Sequence, residues 1–277
     1  MQKMDSKTKS MRWTASAGAL SWQDLRVAED RVARTMSWAN PTVARLAIGD
    51  LTEDACGAVL ICSWPMPSHV LAAYQAFAAR LKAELPAEAY VYPASTLHCT
   101  ILTLRAFTGG PLDPAARQQL VAAWTPVLAA ARASAEWPAG DFKLVMGAPT
   151  LEGAAGIFRY EDCDGAIARM RECLHKAILA AGGVPAVGGG DRALARQLPG
   201  VPAPAPHLPD IVHSTAVRWA AEPADRAAAL AAFGRAAATW EPLEITVRGA
   251  RAVLESTPFM HMPYDDADAS EHGFWRA

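Results

Sequence analysis

Along much of the chain, apolar positions recur with the period of an amphipathic helix. Val70, Tyr74, Phe77, Leu81 and Leu85 share one face of a helix expected over His69–Leu85, behind Ser68 as its cap. Asp113 and Pro114 mark the start of a second helix, expected to run to about Ala133. Ile167, Met170, Leu174 and Ile178 align on a third, capped by Asp164 and ended by Gly182 and Gly183. Pro223 opens an Ala-rich fourth that reaches about Thr239. Ser21–Ala39 has a weaker helical pattern, expected to stop at Asn40-Pro41.

Between these segments lie short apolar or alternating runs that read as strands. They are GAVLICSW (Gly57–Trp64), AYVYP (Ala89–Pro93), LHCTILTLRAF (Leu97–Phe107) and DIVHSTAVRW (Asp210–Trp219). DFKLVMGAPTLE and GIFRYED (Gly156–Asp162) read as a hairpin pair, and LEITVRGARAVLES (Leu243–Ser256) as two strands around Gly249. The order strand, helix, strand-pair, helix is followed by strand-pair, helix, strand, helix, strand-pair. That gives two similar α+β halves, each with one long strand beside a capped helix. A Gly- and Pro-rich stretch around Gly188–Gly190 and Pro202 reads as a linker or insertion. It is not a phosphate-binding loop of the Walker type, because no Gly-Lys-Ser/Thr follows.

The chain has 277 residues, of which 52% are hydrophobic and 19% charged, an ordinary globular composition. A net charge of −2 gives no global field to hold a long nucleic-acid backbone, although Arg outnumbers Lys and a local basic patch is compatible with it. Five cysteines (Cys56, Cys62, Cys99, Cys163, Cys173) lack short C-x-x-C spacing and read as free thiols in a reducing, cytoplasmic compartment. No apolar run is long enough for a membrane span. The start, basic and rich in Ser and Thr, reads as a disordered tail, with an organelle transit peptide as the other reading. The expected organisation is an N-terminal extension over 1–55, a main domain over 56–258 and a flexible tail over 259–277.

The chemistry-bearing feature is a repeated triplet. His98 and Thr100 stand two apart in one strand, and His213 and Thr215 repeat that spacing in another. Residues i and i+2 of a strand point the same way, so each strand presents an imidazole and a hydroxyl on one face. With seven histidines, chance yields on the order of 0.4 His-x-Thr triplets in such a chain. One would read as a hydrogen-bonded core histidine; two in matching contexts, one per half, point to a paired site. Two imidazoles serve as a base and an acid, and the hydroxyls beside them donate to an anionic oxygen. That set suits attack at phosphorus and needs no metal.

The arrangement resembles the 2H phosphoesterase superfamily, named for two H-x-[ST] motifs. LHCTILTL and VHSTAVRW carry the resemblance, and the element order extends it over about Gly57 to Ser256. It implies an α+β, bilobal, pseudo-two-fold fold in which two antiparallel sheets line a central groove with helices outside. It implies His98 and His213 as catalytic residues, Thr100 and Thr215 as phosphate-binding residues, no metal and no cofactor. The implied partner is a small nucleotide or an RNA end bearing a cyclic phosphate, handled by a monomer without duplex or membrane. The activity implied is hydrolysis of 2′,3′-cyclic phosphates. The rival readings are a uridine-directed RNA 3′ exonuclease with the same residues, and a nucleotide- or RNA-end-binding module without turnover.

The other histidines read more plainly: His175 as a helix residue, His69 as a cap, His207 as a loop residue, His261 and His272 as tail residues. Tyr92, Phe158 and Tyr160 read as core or edge packing, with base stacking as the sharper alternative. Regular alternation puts Arg105 and Arg218 on the face opposite the histidines, unless a bulge re-aims them, and gives Trp219 the parity of His213.

Overall fold

A computed structural model describes residues 37–50, 57–107, 111–182, 209 and 211–262. The helical pattern over Ser21–Ala39 falls almost wholly outside them, as do Cys56, His207, His272, the Gly188–Gly190 stretch and the tail beyond residue 262.

The expected α+β architecture with two antiparallel sheets is what the chain adopts. Among the described residues eight strands form, in chain order: β1 Gly57–Cys62, β2 Ala89–Val91, β3 Cys99–Arg105, β4 Phe142–Glu152, β5 Ala155–Asp162, β6 His213–Trp219, β7 Leu243–Val247 and β8 Ala250–Glu255. Five α-helices accompany them among these residues: α1 Pro41–Ala47, α2 Ser68–Glu84, α3 Pro114–Arg132, α4 Ala166–Ala180 and α5 Arg226–Ala237. The smaller sheet has the order β3-β1-β8 and the larger β2-β6-β5-β4-β7.

The sheets do not follow the halves of the chain. β7 and β8, expected as a pair, join different sheets: β7 lies on β4, while β8 crosses to β1. Gly249 sits between them at φ 132°, a backbone region closed to most side chains, and the chain changes sheet there. β2 makes the opposite crossing and pairs with β6. Each half thus lends a strand to the other's sheet.

Several helix starts differ from expectation, for local reasons. Asn40-Pro41 opens a helix: the Asn40 side chain accepts from the Val43 N–H at 3.1 Å and Pro41 takes the first helical position. Ser68 is the first residue of α2, whose cap position holds Pro67 and offers no side-chain hydrogen bond. Gly165 in the left-handed region precedes α4, and Asp162, not Asp164, accepts from the Ala168 N–H at 3.0 Å. Asp225 caps α5 by accepting from Ala228 N–H, so Pro223 lies outside that helix.

The segment beyond residue 36 is tied to the fold rather than trailing from it. Asn40 N–H donates to the Trp219 carbonyl at 2.9 Å, and Trp38 packs on Trp219 with ring centroids 5.0 Å apart. At the other end, Met260 and Met262, expected in a loose tail, are buried against Val59, Ile61, Trp64 and Val253.

The main core, distinct from that cluster, lies between helices and sheets. Tyr74 and Phe77 of α2 meet Phe158 of β5 edge-on, and Phe77 meets Trp240 the same way, with centroids 5.4–5.9 Å apart; Phe158 and Trp240 are tilted at 4.5 Å. Phe158 and Tyr160 are both buried and so are core residues. The α2 and α5 helices pack together over the larger sheet; α3 packs on α4, which reaches both β3 and β5. At Gly156 the core tolerates no side chain: a Cβ there would stand 2.6 Å from the Phe233 ring and 3.2 Å from Val217 Cβ. Gly156→Ala is expected to destabilise the fold by about 1–3 kcal/mol through overpacking, read as a lower urea midpoint at unchanged m-value.

Candidate active site

The two motif strands belong to different sheets, and the structure brings their N-terminal ends together. His98 immediately precedes β3 and His213 is the first residue of β6. The seam between the strands is made of polar groups. Ser214, the middle residue of the second triplet, donates its hydroxyl to the His98 carbonyl, and Tyr160 donates to Ser214 Oγ at 2.9 Å. From α4, Arg171 spans both strands. Its Nε donates to the Ile101 carbonyl, and its Nη2 to the carbonyls of Thr100 and Ile211, each at 3.1 Å. One planar guanidinium thus holds the backbone at the end of one triplet and just before the other.

Both imidazoles are half-buried by surface area, and each is shaped by desolvation. His98 is pushed down to about 4, first by desolvation and further by the neighbouring His213, against the opposing pull of the Thr96 carbonyl. His213 is lowered too: desolvation leads, Arg218 and Arg171 add to it, and the Ile211 carbonyl and Glu152 oppose it. His98 Nδ1 lies 2.7 Å from the Thr96 carbonyl, which can only accept. Nδ1 therefore carries the proton and Nε2 keeps a lone pair. The Ile211 carbonyl stands in the matching place two residues before His213.

The register explains which residues share the face. On β3, Thr100 pairs with Ile61 and Leu102 with Leu60, which leaves Ile101 as a bulge. On β6, Thr215 pairs with Ile157 and Val217 with Gly156, which leaves Ala216 as a bulge. The extra residue follows the threonine in both triplets, so the residue five after each histidine returns to the histidine's face. Those residues are Thr103 and Arg218. A second bulge at Leu104 keeps Arg105, opposite Ala58, on the core side.

Arg218 is thus the functional candidate that strict alternation hides. Its guanidinium lies over the Phe259 ring at 5.1 Å and stands beside the Tyr92 hydroxyl. The same bulge turns Trp219 into the core, where it is fully buried, so it does not share the parity of His213. Tyr92 is buried on the site face with Tyr90, His261 and Phe259, at centroid separations of 5.1–6.0 Å. His261 is held by the Tyr90 hydroxyl at 2.9 Å and by the Pro258 carbonyl at 2.9 Å, and so belongs to this aromatic wall. The signal that could have found Arg218 was its position five after His213, matched by Thr103 after His98.

What these groups lack is informative. His213 Nδ1, Arg218 Nε and the Tyr92 hydroxyl are buried without a hydrogen bond of good geometry to any described residue. Buried polar atoms left so carry a cost that a bound polar ligand would remove. Thr100 and Thr215 are half-buried on the same face. Beside His213, the Arg159–Glu152 pair is bidentate, at 2.5 and 2.7 Å. Among the described residues no cluster of three or more His, Cys, Asp or Glu could hold a metal ion, and no helix is long and apolar enough to cross a membrane. Cys62, Cys99, Cys163 and Cys173 are free thiols.

No family model and no curated protein matches the chain. Among solved structures it is similar to TT0787 of Thermus thermophilus, at 19% identity and TM-score 0.40, over 71% of this chain and 87% of that one. It is also similar to the MHV ns2 PDE domain, at 12% identity and TM-score 0.33, over 60% of this chain and 84% of that one. A conserved protein of unknown function from Agrobacterium tumefaciens, ATU0111, gives 13% identity and TM-score 0.41, over 74% of this chain and 82% of that one. Likeness of this degree assigns no residue a role.

Arg171→Lys keeps the charge but loses the fork that reaches three carbonyls. It is expected to destabilise the protein by about 2–4 kcal/mol in urea unfolding, because the abandoned carbonyls are left short of donors.

Proposed function

We propose that the protein is a phosphodiesterase that opens 2′,3′-cyclic phosphates on RNA ends or small nucleotides, with His98 and His213 as base and acid. The observation that carries this reading is the meeting of two His-x-Thr strands from different sheets around buried, unpartnered polar atoms.

His98 has the properties of the base. Its Nδ1 proton is committed to the Thr96 carbonyl, and its low proton affinity keeps Nε2 free near neutral pH. Water attacks phosphorus and gives its proton to His98 Nε2. The bond from phosphorus to one ribose oxygen breaks, and that oxygen takes a proton from His213, whose imidazolium is favoured by Glu152 and by the arriving phosphate. Thr100, Thr215 and Arg218 donate to the non-bridging oxygens, where charge accumulates. Tyr90, Tyr92 and Phe259 offer an aromatic wall for the nucleoside.

Replacing either histidine by Ala is expected to cut turnover of a cyclic mononucleotide by roughly 10²–10⁴-fold, with wild-type rates unchanged by EDTA. Wild-type rates in the double variant would refute the mechanism. Arg218→Ala is expected to lower kcat/KM by about 10–100-fold.

The pH profile tests the role assignment. A base must be deprotonated, so kcat/KM falls as pH drops through the His98 value of about 4. An acid must be protonated, so it also falls as pH rises through the His213 value, which lies below 6.5. The expected profile is a bell with its optimum on the acid side of 6.5. An optimum above about pH 7.5 would overturn the assignment.

A further inference from the structure

A second concave site lies outside the histidine pair. It is a cleft of about 890 Å³ between the start of α2 and the β7–β8 turn. Its volume is of the size that takes a small ligand. Arg132 from the last turn of α3 and Arg248 and Arg251 from either side of Gly249 bring three guanidinium groups to it. None of the three has an ion-pair partner among the described residues. The one acid in the lining, Glu244, is already paired with Lys143 at 2.8 Å. The cleft is therefore strongly positive.

Two further features point to an oxyanion. The 17-residue α2 begins at the cleft with Ser68 and His69, and no side chain caps its first N–H groups. Those N–H groups and the helix dipole favour negative charge. Ser63 also lines the cleft; it is nine-tenths buried, with its hydroxyl lacking any hydrogen-bond partner among the described residues. It is fixed there by a left-handed backbone at φ 53°. His69 Nε2 is held by the Glu244 carbonyl at 3.1 Å, which closes one side of the cleft.

We propose that this cleft binds a dianionic phosphate group, either free phosphate or the terminal phosphate of a nucleotide. Three guanidinium groups supply paired donors for its terminal oxygens, the α2 N–H groups a third direction, and Ser63 the remaining donor. The proposal does not rest on the phosphodiesterase reading, since none of these groups belongs to the histidine site.

Calorimetric titration of the full chain with inorganic phosphate, adenosine 5′-monophosphate and adenosine tests it. The His98→Ala/His213→Ala variant provides a background without turnover. Phosphate or the nucleotide should bind in that background, and adenosine should not. Adding Arg248→Glu and Arg251→Glu should weaken binding at least tenfold, and Ser63→Ala severalfold, with the thermal midpoint of each variant checked. In the wild-type background Arg248→Glu/Arg251→Glu should leave turnover of a cyclic mononucleotide unchanged. Nucleotide binding tenfold tighter than phosphate assigns the site to nucleotides; equal affinities assign it to free phosphate. Affinity unaffected by reversal of the two arginines, or no binding of either anion at millimolar concentration, would overturn the proposal. Loss of turnover in the histidine variants with this binding intact separates the two sites.

Discussion

The candidate site exists because two strands from different sheets are fastened end to end. Arg171 and Ser214 do the fastening, through carbonyl groups rather than through the reacting side chains. A hydrogen bond from a charged donor is worth about 1.5–3 kcal/mol, and three share one rigid guanidinium. Its planar fork positions three carbonyls at once, so the spacing of the strands is set by covalent geometry. The imidazoles remain free of structural duties apart from the Nδ1 contact of His98. The exchange of β2 and β8 between the sheets reinforces the same seam, because neither half can move without drawing a strand of the other.

Burial then sets the electrostatics. Beside desolvation, the groups that lower the histidines' affinity for protons are cations a phosphate would offset: Arg218 and Arg171 at His213, and His213 itself at His98. An anion between them restores that affinity. Glu255, deeper in the smaller sheet, shows the complementary effect: burial raises its carboxyl to about 7, and its Oε1 accepts from the Met260 N–H. That contact holds the short turn carrying Phe259, and so the ring beneath Arg218.

Much of this was legible in the sequence, and the failures share a cause. Helical faces such as Val70–Tyr74–Phe77–Leu81 and the strand runs were readable because period alone decides burial. The two triplets were readable because their spacing falls before any irregularity. Arg218 and Trp219 were misplaced because a bulge adds one residue, which reverses every later side chain and leaves no mark in composition. β7 and β8 read as a pair because adjacency suggests a hairpin, while the sheet change at Gly249 depends on distant partners. Asn40-Pro41 served equally as a stop and as a start, and only the packing of Trp38 on Trp219 decides. The basic cleft was invisible because Ser63, Arg132 and Arg251 are far apart in sequence.

The bulges at Ile101 and Ala216 have a last consequence. They repeat the same backbone irregularity in both strands, yet they present a neutral hydroxyl at Thr103 and a cation at Arg218. The scaffold is nearly symmetric and its charge is not. A ligand with two unlike ends would meet a different welcome on each side.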